Sequence, residues 1–209
     1  MMTLPRLHAL PAAGMLDRPG FPEQCRPLLA TGRPVALHLR DRSLSLAVLV
    51  PLAQETGRLT PSGVRLFAHG RADLAVVAGT AGLQLRLTDL SPGALRDSFR
   101  PLWNGWIGVS VHSLAEARQA LQEGADYLLL GNIFETPTHP GRPAGGVGLV
   151  RDASRLGLPV IAIGGITPDN AGAVRDAGAY GVAAIRALWQ APDPAAAAAA
   201  LLALFPEAA

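Results

Sequence analysis

The chain has 209 residues, 49% of them apolar, with 18 basic and 16 acidic side chains for a formal charge of +2. That length suits one domain with a sizeable core. No apolar run approaches the roughly 20 residues of a membrane span, despite a mean hydropathy of +0.26. Dispersed arginines and only 5% aromatic residues argue against nucleic acid as a partner.

Every basic residue is Arg and Lys is absent, which removes Schiff-base lysine chemistry. It also lifts the sequence pI to about 9.3, because Arg titrates above Lys. The opening Met1-Met2-Thr3-Leu4-Pro5-Arg6 lacks the basic and apolar segments of a signal peptide, so a cytoplasmic location is expected. Cys25 is the lone cysteine, which excludes an internal disulfide and a Cys-based zinc cluster. It reads as an ordinary helix residue.

Short apolar runs recur along the chain, each followed by a helical pattern. The expected strands are Arg6–Leu10, Pro34–Leu39, Val64–Ala68, Gly82–Leu87, Trp106–Val111, Tyr127–Gly131, Pro159–Gly164 and Gly181–Ile185. Helical spacing covers Ala115–Gly124 and Asn170–Gly178, each closed by a Gly. Pro192-Asp193-Pro194 starts a final packing helix over Ala195–Leu204.

Eight alternating β and α units predict a single (β/α)8 barrel, with 1–209 as one domain. A doubly wound open sheet is the alternative, weakened by the lack of a Gly-rich dinucleotide fingerprint after the first strand. In such a barrel the active site lies at the strands' C-terminal ends. Those ends carry His8; His38 and Arg40; His69; Gln84 and Arg86; Ser110 and His112; Asn132; Gly164 and Gly165; and Arg186. Four of the five histidines are thus expected on one rim, and histidine is the side chain whose ordinary pKa lies nearest neutrality. His112, where a strand hands over to a helix, is the main proton-transfer candidate.

Ile161 to Asn170 reads as a buried strand, a Gly pair and a helix start. Glycine lets backbone N–H groups approach an anion closely. With Ile185 and Arg186 after the last strand, Gly164 and Gly165 form an expected phosphate site. The segment Asn132–Val147 is long and rich in Gly and Pro, which fits a lid carrying Thr136, Thr138 and Arg142 toward an anionic ligand.

These pieces together resemble the thiamine phosphate synthase/TenI superfamily. The resemblance rests on Ser110-Val111-His112-Ser113 with Glu116-Ala117; Gly124-Ala125-Asp126-Tyr127 through Gly131; and Phe134, Thr136 and Thr138. It continues in Ala162-Ile163-Gly164-Gly165-Ile166 with Asn170, and in Gly181-Val182-Ala183. Leu37–Arg42 and Arg71–Ala75 extend it over nearly the whole chain. It independently implies the barrel.

The superfamily implies two activities. A synthase joins hydroxymethylpyrimidine diphosphate to thiazole phosphate and uses Mg²⁺ to hold the diphosphate. A thiazole tautomerase isomerises a dihydrothiazole carboxylate phosphate without a metal. This chain departs from the synthase pattern at His69-Gly70 (Asn-Asp there), at Arg42 and His139 (Lys in both), and at Gln84-Leu85-Arg86-Leu87 (His-Leu-Gly-Gln). Asp89 keeps the other metal carboxylate.

The departures favour the tautomerase, with no cofactor and no metal, a thiazole phosphate as ligand, and a homo-oligomer, dimer or tetramer. On that reading His112 moves the proton beside His69, while His38, Arg40, Gln84, Ser110, Asn132, Thr136 and Thr138 contact substrate. A divergent synthase and a non-catalytic regulatory barrel that binds a thiamine-related phosphate are the alternatives.

Overall fold

The computed structural model describes residues 3–41, 43–60, 63–136, 141 and 143–206. Eight parallel strands close a barrel in sequence order. They are β1 Leu7–Ala9, β2 Val35–Leu39, β3 Val64–His69, β4 Gly82–Arg86, β5 Trp106–Val111, β6 Tyr127–Gly131, β7 Val160–Ile163 and β8 Gly181–Ala184. β1 pairs with both β2 and β8, so the sheet has no edge and the open-sheet alternative falls. The helices are α1 Phe21–Gln24, α2 Leu46–Leu59, α3 Ala72–Ala78, α4 Pro92–Phe99, α5 Leu114–Gln122, α6 Gly146–Ser154, α7 Ala171–Asp176, α8 Arg186–Trp189 and α9 Pro194–Ala203.

Strand alternation sorts the apolar residues into two cores. Outward-facing Leu37, Leu39, Val109, Val111, Leu128 and Val182 meet the helix layer. Inward-facing Ala36, Phe67, Tyr127, Leu129, Ile161 and Ala183 fill the barrel. The final helix starts where expected: the Asp193 carboxylate accepts from Ala196 N at 3.0 Å. Its end is held by the Arg33 guanidinium, which donates to the carbonyls of Leu202 and Phe205. Cys25 is buried, its thiol is pushed up to about 12 by burial, and it donates to the Phe21 carbonyl.

Two aromatic rings set the interior. A Cβ added at Gly82 would stand 2.1 Å from the Phe67 ring, and one at Gly108 would stand 2.1 Å from the Tyr127 ring. β4 and β5 therefore give up side chains where β3 and β6 send in large ones. The Tyr127 hydroxyl donates to Gln84 Oε1 at 2.7 Å, and Gln84 Nε2 donates to Ser110 Oγ at 3.0 Å. The polar atoms that the rings carry into the core are thus paired, as burial requires.

His8 and His38 were expected on the rim but lie fully buried inside the barrel. Apolar runs alone do not say how far up the barrel each strand starts; the register does, and it places His8 beside Ala36 and Ala183. The Pro5 carbonyl can only accept, so His8 Nε2–H donates to it at 3.2 Å. His8 Nδ1 is then the acceptor for His38 Nε2–H at 2.9 Å. Burial pushes the His8 imidazole down to about 3. His38 is held well below its usual range by burial first, then by His8, His69 and Arg40.

Both imidazoles therefore fold neutral and become protonated only on unfolding. The unfolded chain binds more protons between pH 6.5 and about 3, so stability falls as pH drops through that window. Unfolding free energies from urea titrations at pH 7.5, 6 and 4.5 should decline below about pH 6.5 by on the order of 1 kcal/mol per pH unit for each histidine. In a His8→Gln, His38→Leu double variant that part of the slope should vanish. An unchanged slope would show that the acid sensitivity arises elsewhere.

Candidate active site

The C-terminal ends of β5 to β8 enclose a cavity of about 490 Å³. His112, Asn132, Thr136, Gly164, Gly165, Ile185 and Arg186, all expected at the site, line it. Glu135, Thr167 and Gln190 line it as well and were not foreseen. Glu135 sits in the lid segment between Phe134 and Thr136, which was the one signal available. Gln190 closes α8 and carries no motif. Thr138, His139, Arg42 and Arg142 lie outside the described residues. The two ends of the long loop are tied together, because Gly145 N donates to the Asn132 carbonyl and Gly146 N to that of Ile133.

His112 follows β5 and is fixed from two sides. Its backbone N–H donates to Glu116 Oε2 at 2.7 Å, while Ser113 Oγ caps α5 by accepting from Glu116 N. Its ring Nδ1–H donates to the Gly131 carbonyl. With Nδ1 taken up by that contact, Nε2 is the ring nitrogen left for a ligand in the cavity that His112 lines.

Gly164 and Gly165 have φ of 98° and 65°, a region that favours glycine. A Cβ at Gly164 would stand 2.5 Å from Asn132 Cβ, and one at Gly165 would stand 2.6 Å from the Glu135 carbonyl oxygen. The pair therefore lets the β6 and β7 loops close on each other. Asn170 braces the turn, accepting from Thr167 N at 2.9 Å and donating to the Gly165 carbonyl at 2.8 Å. The N–H groups of Gly165 and Ile185 donate to no backbone carbonyl among the described residues. Two unspent donors and the Arg186 guanidinium thus share one wall, an arrangement suited to an anion.

The remaining expected residues lie apart from this cavity. His38 and Gln84 are buried below the mouth, half-buried Ser110 bonds Gln84, and His69, 7% exposed, stands by His38 with ring centroids 5.7 Å apart. Arg86 ends β4, on the opposite side of the barrel from β8, and Arg40 follows β2, two strands from β8.

A closed barrel with its cavity at the C-terminal ends of the strands defines the class of (β/α)8 proteins whose chemistry sits on that face. The family model described as thiamine monophosphate synthase matches residues 15–188, and the chain belongs to that family. A thiamine-phosphate synthase of Thermus thermophilus is 45% identical over 141 residues, which span 66% of this chain and 66% of that one. A thiamine-phosphate synthase of Moorella thermoacetica is 38% identical over 84% of each chain. A solved thiamine phosphate pyrophosphorylase from Pyrococcus furiosus superposes with a TM-score of 0.80, at 28% identity over 96% of this chain and 95% of that one.

The relatives correct the tautomerase expectation: curated proteins at 37–45% identity carry the synthase name, so the isomerase reading is withdrawn. That reading weighed a handful of departures at His69, Gly70 and Gln84 above the similarity of the whole chain. The family places the chain among enzymes of thiamine biosynthesis. No described helix is long and apolar enough to cross a membrane.

The synthase pattern brings in Mg²⁺, and the residues here do not fit it. Position 70 is Gly, and Asp89 is gripped by Arg86 through its guanidinium at 2.6 Å and its backbone N–H at 2.8 Å. Among the described residues no group of three His, Cys, Asp or Glu could hold a metal ion. Hard cations need several oxygen ligands.

Gly165→Ala should destabilise the chain by roughly 1–3 kcal/mol, since it adds backbone strain and a clash with the β6 loop. Gly148→Ala, on α6 with no neighbour near its Cβ, should be neutral or slightly stabilising. Urea unfolding of both variants checks the contrast; equal effects would mean that the Gly pair is not a packing constraint.

Proposed function

We propose that the chain is a thiamine-phosphate synthase, a transferase that joins hydroxymethylpyrimidine diphosphate to thiazole phosphate. The observation that carries this reading is that cationic groups stand at two separate parts of one barrel mouth, with β4 and β8 on opposite sides. Gly165, Ile185 and Arg186 border the cavity at β7 and β8, and Arg40 and Arg86 stand at β2 and β4. Two anionic substrates need two such edges, and the names of the relatives point the same way.

In this reaction the thiazole nitrogen lone pair forms a C–N bond to the pyrimidine methylene carbon. The C–O bond to the diphosphate breaks, and its electron pair leaves with the diphosphate. No proton moves at the thiazole nitrogen. His112 is then a positioning group, its ring oriented by the Gly131 and Glu116 bonds, with Asn132 and Thr136 lining the same cavity. The N–H groups of Gly165 and Ile185, with Arg186, hold the thiazole phosphate. Their role is orientation, which raises the effective concentration of one reactant at the other.

Incubation with both substrates should yield thiamine phosphate and pyrophosphate, read by chromatography. No product under any metal condition would overturn the assignment. Arg186→Ala should raise KM for thiazole phosphate roughly 10-fold with little change in kcat, as for a contact made equally in ground and transition states. His112→Asn, which keeps a polar side chain but cannot shuttle protons, should retain more than a tenth of kcat.

A further inference from the structure

We infer that arginine, not a divalent cation, meets the charge of the diphosphate in this chain, with Arg86 as the principal ligand. The inference rests on the synthase reading above and concerns how that site binds its leaving group.

Gly70 removes one expected carboxylate without closing the space. Its φ is 69°, and nothing stands within 4 Å of where a Cβ would be. The second carboxylate, Asp89, is already committed. Arg86 Nη2 donates to its Oδ1 at 2.6 Å, Arg86 Nε donates at 3.1 Å, and the backbone N–H of Arg86 donates to its Oδ2 at 2.8 Å. An Asp whose two oxygens are both held by a guanidinium and a backbone N–H is a brace for that guanidinium, not a metal ligand.

The brace leaves Arg86 well equipped. A guanidinium has five N–H donors; Asp89 takes one from Nε and one from Nη2, which leaves three. Strand alternation aims them. Gln84 faces the barrel interior, where it bonds Tyr127 and Ser110, and Arg86 two residues on shares that face. Arg86 pairs in register with Ser110, and His112 follows Ser110 in the same alternation. Arg86 therefore stands one layer above the buried network, half-exposed at the mouth, with its side chain 49% accessible.

Arg40 follows His38 in the same alternation just past the end of β2. Guanidinium forks match phosphate oxygens bidentately and need no deprotonation to bind. With no Lys in the chain, every fixed side-chain cation at this mouth is an Arg. β4 lies four strands from β8 in either direction around the barrel, so this edge faces the one at Ile185 and Arg186.

The test is calorimetric titration of the full chain with inorganic pyrophosphate in EDTA, and again with excess Mg²⁺. Binding in EDTA, weakened at least 10-fold in Arg86→Ala and only partly restored by Arg86→Lys, is the expected result. Binding by the wild type only when Mg²⁺ is present, or an Arg86→Ala variant of unchanged affinity, would overturn the inference.

A second variant guards against a folding defect in the first. Gly70→Asp with Arg86→Gly restores the carboxylate and frees Asp89, and Asp is among the side chains that best tolerate this φ. It should lose pyrophosphate binding in EDTA and regain it with Mg²⁺; retained binding in EDTA would count against Arg86. Turnover of both substrates separates this inference from the synthase reading. Thiamine phosphate formed only with Mg²⁺ sinks the arginine site and leaves the synthase standing. No product under either condition sinks the synthase, while the titration still reads the arginine site.

Discussion

Eight short strands closed on themselves leave an interior too narrow for a large side chain at every inward position. Phe67 and Tyr127 take that space only because Gly82 and Gly108 yield it. Much else follows from those two rings. Tyr127 carries a hydroxyl into the core and needs Gln84 as its acceptor, and Gln84 in turn needs Ser110. The rings also close the lower barrel, so His8 and His38 are packed beside Phe67 as neutral imidazoles away from solvent. The mouth above them is where polar side chains can meet a ligand.

The mouth is asymmetric for a local reason. On the β6 to β8 side, Gly164 and Gly165 allow two loops to approach within contact distance, which leaves backbone N–H groups on the cavity wall. On the β2 to β4 side the strands end in long arginines, braced by carboxylates: Arg71 by Asp73 and Arg86 by Asp89. One edge offers backbone dipoles on a compact turn and the other offers side-chain cations that can reach. The two edges therefore differ in the reach and geometry of their positive groups.

The withdrawn tautomerase reading is instructive about local motifs. The Gly at position 70 and the altered strand-four sequence are real departures, and the structure shows what they do: Asp89 turns to Arg86. They bear on how negative charge is met at the mouth. They do not bear on which bond is made, since that depends on the substrates the whole cavity admits. Similarity over most of the chain reports on the cavity; a few rim residues report on one of its edges.

The barrel was legible in the sequence because strand and helix periodicity, turn glycines and the order of eight units are local properties. The observed strands agree with the expected ones to within about a residue at most ends. The Gly pair at the cavity wall was legible for the same reason: a Gly pair after an apolar strand marks a tight turn wherever it occurs. What only the tertiary structure decided is depth and partnership. His8, His38 and His112 look alike in a list of strand ends, yet two are sealed in the core and one is exposed. The register between neighbouring strands sets that difference, and register is a property of the closed sheet. The Asp89 carboxylate, by resemblance, keeps a position that holds a metal in the synthase pattern. Its grip on Arg86 appears only when the turn after β4 folds back, because a side chain's charge is local but what neutralises it depends on what stands within hydrogen-bond reach.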